Sequence, residues 1–307
     1  MNFTLKQMRY IVALAETGHF GRAAARCHVT QSALSQQLKQ AEQTSGLQLF
    51  VRSEGGARPT PFGREFIDRA RTILRHAELL DSFAANHGGR PRRPIAFGLI
   101  PTVAPYLLAE IYPLLREALP DISIAVSETR TAQLLDHLGE GLLDVGLIAT
   151  PPPPEAHLTS RIIVEDPFVV AAPRQSTLSD PVHLDALPKD SILLLDEGHC
   201  LREQAMDACA LTSGETRRAF AATSLSTIVE FVANGQGLTL LPSISLKKEA
   251  IDPRVKIIAL APPGASRTLS LVWHNGSPFA QLFHIFADTI RGGAQNLSSW
   301  KVNSPAV

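Results

Sequence analysis

The chain has 307 residues, 45% of them hydrophobic, enough for two or three ordinary domains with buried cores. No apolar run approaches the roughly 18 residues needed to cross a bilayer. The opening MNFTLKQMRY lacks the apolar core and cleavage site of a secretion signal, so a cytoplasmic protein without membrane contact is expected. Formal net charge is zero, yet residues 1–94 carry 14 Lys and Arg against 7 Asp and Glu, and residues 95–307 carry 15 against 22. A basic first third on an acidic body points to a polyanion as partner of that third alone.

The three cysteines, Cys27, Cys200 and Cys209, argue against a disulfide framework in a cytoplasmic chain. No CxxC, HExxH or GxxxxGK[ST] occurs, so neither a metal site nor a bound cofactor is expected.

Thr4 to Gln7 reads as a capping box, and Leu5, Met8, Ile11, Val12 and Ala15 share one helical face behind it. Gly18 closes that helix. A short alanine-rich helix follows from Phe20 to Cys27, with Ala23, Ala24 and Ala25. After a turn at His28–Thr30, a third helix runs from Gln31 to about Thr44, capped by Thr30, burying Leu34, Leu38 and Ala41 and ending at Gly46. Small side chains on the second helix let the third cross it closely, as in a helix-turn-helix. Cys27 on this second helix reads as a small buried hydrophobe.

Gln31, Ser32, Ser35, Gln36 and Lys39 face outward on the third helix. Neutral hydrogen-bonding groups with one cation suit the base edges and phosphates of double-stranded DNA, whereas an ordinary solvated face is richer in Glu and Lys. Residues 47–52 alternate as a strand and 54–57 form a turn, which together predict a wing with Arg52 and Arg58 near the DNA backbone. A breaker-free helix then runs from Thr60-Pro61 to about His87. Its apolar positions Phe62, Phe66, Ala70, Ile73, Ala77, Leu80 and Ala84 step by threes and fours, close to a heptad seam. Such a stripe is too long for the small winged domain and is expected to pair with a second copy. Residues 88–94, GGRPRRP, form a hinge.

The stretches FGRAAARCHVTQSALSQQLKQAE and GLQLFVRSEGGARPTPFGREF resemble the N-terminal signature of LysR-type transcriptional regulators over residues 1 to about 88. Val51-Arg52-Ser53 departs from the pattern, which has an acidic residue after the Phe. The resemblance implies an α+β multidomain chain and a regulator rather than an enzyme. Its parts would be a winged helix-turn-helix DNA-binding domain (1–58), a linker and dimerisation helix (59–89) and a regulatory domain (90–307). Promoter DNA is the implied partner, with RNA polymerase as a further one.

From Ile95 strands and helices alternate: strand 95–100, helix 104–119 stopped by Pro120, strand 122–127, helix 131–138 and strand 144–149. This βαβαβ pattern predicts a parallel sheet. Further strands are predicted at 167–173, 192–197, 219–224, 238–242 and 269–274, with helices at 201–210, 225–234 and 279–291. Two α/β lobes of this kind resemble periplasmic-binding-protein-like regulatory domains, lobe I at about 95–165 and 268–295 and lobe II at about 166–267. Ligands of such sheets bind at strand C-termini.

The segment LLLDEGHCLREQAMDACA (193–210), with ATSLSTI (222–228), GLTLLP (237–242) and LIPTVAPYLL (99–108), is similar to the hydrogen-peroxide-sensing members of the LysR family. Trp273-His274 departs from the Tyr-Arg pair of those relatives. The residues carry the chemistry in their own right. Cys200 follows a Gly-His turn at a predicted helix N-terminus, where free N–H groups and the positive dipole end favour a thiolate. Peroxide oxidises such a sulfur to a sulfenic acid, and Cys209, nine residues on, is the candidate resolving thiol. On a continuous helix the two Cα atoms would stand ~13 Å apart, while a disulfide needs them within about 7 Å. The segment must therefore unwind for the bond to form, and Thr212-Ser213-Gly214 offers slack. The resemblance further implies a peroxide pocket of Thr102, Thr131, His199 and Arg267, a homotetramer built as a dimer of dimers, and control of oxidative-stress defence genes. Two other readings stay open: a LysR regulator with an organic inducer in the cleft and incidental cysteines, and a thiol peroxidase, which has no need of a winged helix.

Overall fold

The computed structural model describes residues 3–53, 56–85, 91, 93–211 and 222–298. Two compact units divide the chain, the break falling after the fourth helix.

The first unit runs α1 (Leu5–Thr17), α2 (Phe20–Arg26), α3 (Gln31–Ser45), β1 (Phe50–Ser53), β2 (Gly56–Pro59) and α4 (Pro61–Ala85). The capping box on α1 is complete: Gln7 N donates to Thr4 Oγ1 at 3.1 Å and Thr4 N to Gln7 Oε1 at 3.0 Å. Met8, Tyr10, Ile11, Ala13 and Leu14 are buried, but Leu5 is 43% exposed, because the covered stripe begins one turn into the helix. Fully buried Ala23 and nearly buried Ala24 let α2 and α3 close on α1 around Leu34, Leu38 and Ala41. His28, at φ +54°, makes the sharp turn between α2 and α3.

Glu42 on α3 ties in the wing, accepting from Leu49 N at 2.8 Å and Phe50 N at 3.2 Å. β1 and β2 pair antiparallel from Phe50–Pro59 to Ser53–Gly56. The strand thus begins three residues later than the alternation at 47–52 suggests. α4 corrects a further expectation. Its first turns do sink into the winged unit, where Ile67 and Ala70 are each 2% exposed and Phe66 meets Phe3 edge-on at 5.0 Å. Phe62, Ile73 and Leu80 remain exposed along the helix.

The second unit comprises β3 (Ile95–Leu99), α5 (Ala104–Ala118), β4 (Ile124–Glu128), α6 (Thr131–Gly139), β5 (Val145–Ile148), β6 (Leu158–Pro173), α7 (Cys200–Ala208), α8 (Leu225–Ala233), β7 (Thr239–Pro242), α9 (Leu246–Glu249), β8 (Val255–Ala259), β9 (Ser266–His274) and α10 (Ala280–Ser298). β3 pairs in parallel with β4 and β5, as the βαβαβ pattern predicts. The sheet then turns mixed: β9 is antiparallel to β5, and β6 to β9, β7 and β8.

β6 is the strand that serves both lobes. Its first part pairs with β9, a register shift falls between Ile162 and Val164, and its second part pairs with β7 and β8. Only residues 167–173 stand out in the sequence, because the first part mixes apolar with polar and charged residues. The run 192–197 forms no ladder of its own. It makes isolated bridges, Ile192 with Leu238 and Leu195 with Ala222, and its apolar side chains fill the second lobe's core instead. Residues 212–221, including the Thr212-Ser213-Gly214 segment and the first half of the strand expected at 219–224, lie outside the described residues.

The first lobe's core is aromatic: Phe97, Trp273, Phe279, Phe283 and Phe286 are buried, with Phe97 edge-on to Phe286 at 5.9 Å. Val170, Leu194, Leu238, Leu240 and Ile258 centre the second. Arg93, just ahead of β3, is pinned to the sheet by a two-pronged ion pair with Asp144, both contacts at 2.7 Å.

Candidate functional site

α7 begins at a turn that needs glycine. Gly198 has φ +85°, His199 is the N-cap, and Cys200 is the first helical residue, 8% exposed. The helix is held at two points. Arg202 Nη1 donates to Leu195 O at 2.9 Å, and Gln204 Nε2 donates to Ala149 O, at the C-terminal end of β5, at 2.7 Å. Cys209 caps the other end of α7, 4% exposed, within the second lobe's core. Both thiols are free. Burial pushes the Cys209 thiol up, and Lys189 opposes that rise. Lys189 Nζ also donates to the carbonyl of Ala210 at 3.0 Å, where the chain leaves the helix with Ala210 at φ +48°.

The other expected site residues lie at the ends of two parallel strands and near the start of antiparallel β9. Thr102 follows β3, Thr131 opens α6 after β4, and Arg267 lies on β9. The Arg267 side chain is fully buried and tied on three nitrogens: Nε to Asp166 Oδ2 at 2.9 Å, Nη1 to Thr102 Oγ1 at 2.9 Å and Nη2 to Thr102 O at 3.1 Å. Asp166 Oδ1 accepts from Ser243 Oγ and Ile244 N, each at 3.1 Å, so further hydrogen bonds offset part of the desolvation of the buried pair. Nearby, Tyr106 Oη and Ser226 Oγ both donate to Glu249 Oε1 at 2.7 Å. Burial, and then Glu249, pushes the Tyr106 hydroxyl up, while Arg267 opposes this.

Three polar atoms around the site are left over, Gln204 Oε1 among them. Thr131 Oγ1 and His199 Nε2 are likewise buried with no hydrogen-bond partner among the described residues, a costly state for a polar group. Burial drives the His199 imidazole below its ordinary range; Arg130 reinforces this and Asp196 opposes it.

The structure therefore joins Thr102 to Arg267, sets His199 beside Cys200, and links Thr131 to the same turn through its neighbour Arg130, which packs against Gly198. Among the described residues no hydrogen bond connects Cys200 or His199 with Thr102, Thr131 or Arg267. Sequence reasoning missed Asp166, Tyr106, Glu249, Gln204, Lys189 and Arg130. Arg130 stood next to a residue already singled out, and Asp166 is one of two adjacent acids, Glu165-Asp166, directly before the apolar run at 167–173. Tyr106 and Gln204 lie within the matched stretches 99–108 and 193–210, whereas Glu249 and Lys189 had no local signal.

In the first unit, Gln31, Ser32, Gln36 and Lys39 are exposed on α3 and Ser35 is half-buried. Arg58 is exposed on the wing. Arg52 pairs with Ala57 through its backbone, and its side chain lies outside the described residues.

Comparison with known proteins accounts for both units. Residues 5–64 match the bacterial regulatory helix-turn-helix protein family of lysR type, and residues 88–295 match the LysR substrate binding domain. The chain belongs to the LysR family. Its α1–α3 and wing are the family's DNA-binding module, and its second unit is a two-lobed LysR regulatory domain. One similar LysR protein is the hydrogen peroxide-inducible genes activator of Haemophilus influenzae, 36% identical over 93% of this chain and 95% of that protein. A full-length cysteine-to-aspartate variant of OxyR from Pseudomonas aeruginosa is similar in structure, with TM-score 0.72 and 33% identity over 94% of this chain and 97% of that one. A cysteine-to-serine mutant of Corynebacterium glutamicum OxyR, with H2O2 bound, has TM-score 0.66 and 30% identity over 97% and 95%.

Among the described residues no helix is long and apolar enough to cross a membrane.

Proposed function

We propose that this LysR regulator is switched by hydrogen peroxide through Cys200 and Cys209 and reads promoter DNA with α3 and the wing. The observation that carries this is the placement of Cys200: a buried sulfur at a helix N-terminus, beside a histidine whose Nε2 lacks a partner among the described residues. The names of the relatives over nearly the whole chain support it.

In this mechanism the Cys200 thiolate attacks one peroxide oxygen. The O–O bond breaks, the electron pair leaves with the other oxygen as hydroxide, and that takes up a proton to become water. Cys200 is left as a sulfenic acid. The Cys209 thiol then attacks Cys200 Sγ, a second water leaves, and a disulfide remains. Thr131 and His199 offer the unpartnered buried groups that meet the peroxide. Thr102 orients Arg267, which carries a buried positive charge toward the departing oxygen. Three of the five guanidinium N–H groups are committed to Asp166 and Thr102, so the arginine acts from a fixed position.

The output is a homotetramer, a dimer of dimers, that shifts its promoter contacts and its engagement of RNA polymerase. Two surfaces support self-association. α4 leaves Phe62, Ile73 and Leu80 exposed. β4 ends the sheet among the described strands, and beside it lies a groove of about 630 Å³ lined by Pro105, Leu108, Tyr112, Ile124, Val126 and Lys248. We assign residues 1–58 to DNA binding, 59–89 to pairing and 90–307 to sensing.

A promoter–reporter assay with and without peroxide tests the reading. Wild type is expected to respond, and Cys200→Ser is expected to be locked. An unchanged response in Cys200→Ser overturns the proposal.

A further inference from the structure

The Gly198–His199–Cys200 turn has one neighbour to which the mechanism above gives no role. Arg130 ends the loop between β4 and α6, directly before Thr131, with an exposed side chain. Its guanidinium lies against Gly198: a methyl group at that position would come within 3.1 Å of Arg130 Nη1 and 3.5 Å of Cδ. Gly198 thus does two things at once. It adopts φ +85°, which a side chain disfavours, and it leaves the seat that the arginine occupies. The result is a cation on the backbone of the turn, next to a histidine that is 5% exposed and whose Nε2 has no partner among the described residues.

We propose that Arg130 is a positioning residue for the oxidation of Cys200: seated on Gly198, it sets the turn so that His199 Nε2 accepts a hydrogen bond from the peroxide that Cys200 attacks. The inference rests on the peroxide reading of Cys200. The groups acting on His199 are Arg130 at the head of α6 and Asp196 from the segment preceding α7, with Cys200 on α7 next in the chain. Burial and Arg130 oppose a proton on the ring, and Asp196 draws one. Without Arg130 the balance moves toward Asp196. An imidazolium has two donors and no acceptor, so a peroxide O–H facing Nε2 then finds no lone pair. The peroxide is no longer held with its O–O bond in line with the sulfur. The redox step keeps its stoichiometry; only the fraction of molecules poised for it changes.

Arg130 is exposed, so its field is screened by solvent and salt. The expected effect is a slower reaction confined to the acid side, and a smaller one in ~1 M salt. That salt sensitivity separates an electrostatic role from a merely structural one.

The test uses the full chain carrying Cys209→Ser, which isolates the first step. Sulfenic acid at Cys200 is trapped with a dione reagent and counted by mass after stopped-flow mixing with hydrogen peroxide from pH 5.5 to 8.5. Arg130→Gln is expected to react more slowly toward the acid end of this range, by up to about threefold, and to converge with its parent near pH 8. Arg130→Lys is expected to restore the parent profile in large part, and the gap is expected to narrow at high salt. In a His199→Asn background, Arg130→Gln is expected to have no effect. A superimposable Arg130→Gln profile, or an equal loss without His199, overturns the role of Arg130 while leaving the peroxide reading standing. A parent that reacts no faster than free cysteine overturns that reading and this inference together.

Discussion

Cys200 opens α7 and Cys209 caps its far end, so a single continuous helix holds two free thiols apart. Nine residues at helical rise give ~13 Å between Cα atoms, roughly twice the span of a disulfide. Cys209 is also packed among Leu194, Leu211 and Leu238. Closing the bond therefore takes apart the helix and pulls a side chain from a core. Hydrogen–deuterium exchange after peroxide treatment is expected to show lost protection over residues 200–211 in wild type and retained protection in Cys209→Ser. Equal protection before and after oxidation in wild type would show that the helix survives and that the switch works some other way.

The buried Arg267–Asp166 pair fastens β9 to β6, and through Thr102 to the turn after β3. Removing one partner strands a charge. Arg267→Met is expected to destabilise the regulatory unit by about 3–5 kcal/mol, measured as the urea midpoint of its transition. Arg267→Met with Asp166→Leu is expected to recover much of the loss. Additive losses in the double variant would mean that the pair contributes through packing rather than charge.

His199 links stability to pH. Its folded-state affinity for a proton is depressed below the ordinary value of 6.5, so as pH falls through that value the unfolded chain binds the proton first. Its contribution is fully present above about pH 6.5 and is lost as pH drops toward the folded-state value. Thermal midpoints of the regulatory unit between pH 7.5 and 5.5 are expected to decline more steeply in wild type than in His199→Asn. Parallel declines would remove His199 from the account.

On α3, Lys39 and Gln36 are both exposed but carry different chemistry. Lys39→Ala is expected to weaken binding evenly across sequences and to flatten the slope of affinity against salt by about one unit. Gln36→Ala is expected to relax base preference at one position, at a cost of about 1–3 kcal/mol for the favoured site. Footprinting and salt titrations on the chain's own promoter distinguish them. Identical behaviour of the two variants would contradict this division of labour.

The winged unit was legible because its signals are local. A capping box, three adjacent alanines, a Thr cap and glycines at the helix ends each specify geometry within a few residues, and each is found in place. The parallel strands β3, β4 and β5 were legible for the same reason, as alternations with intervening helices. β6 was half missed because its first part pairs on long-range partners across β9 that leave little trace in its own composition. The run at 192–197 was misread because a buried apolar segment looks like a strand whether or not its backbone finds a ladder. At the site, Cys200, His199 and Thr131 were visible in short motifs. The clasp of Arg267 by Asp166 joins residues 101 positions apart, and the contact of Arg130 with Gly198 spans 68 positions, so only the fold reveals them.

The most direct test of the central claim is intact-mass and peptide analysis of the reduced chain before and after one equivalent of hydrogen peroxide. Wild type is expected to lose two hydrogens and to yield a peptide joining Cys200 to Cys209, with Cys27 still free. Cys209→Ser is expected to gain one oxygen at Cys200. An unchanged mass, or oxidation confined to Cys27, would contradict the account.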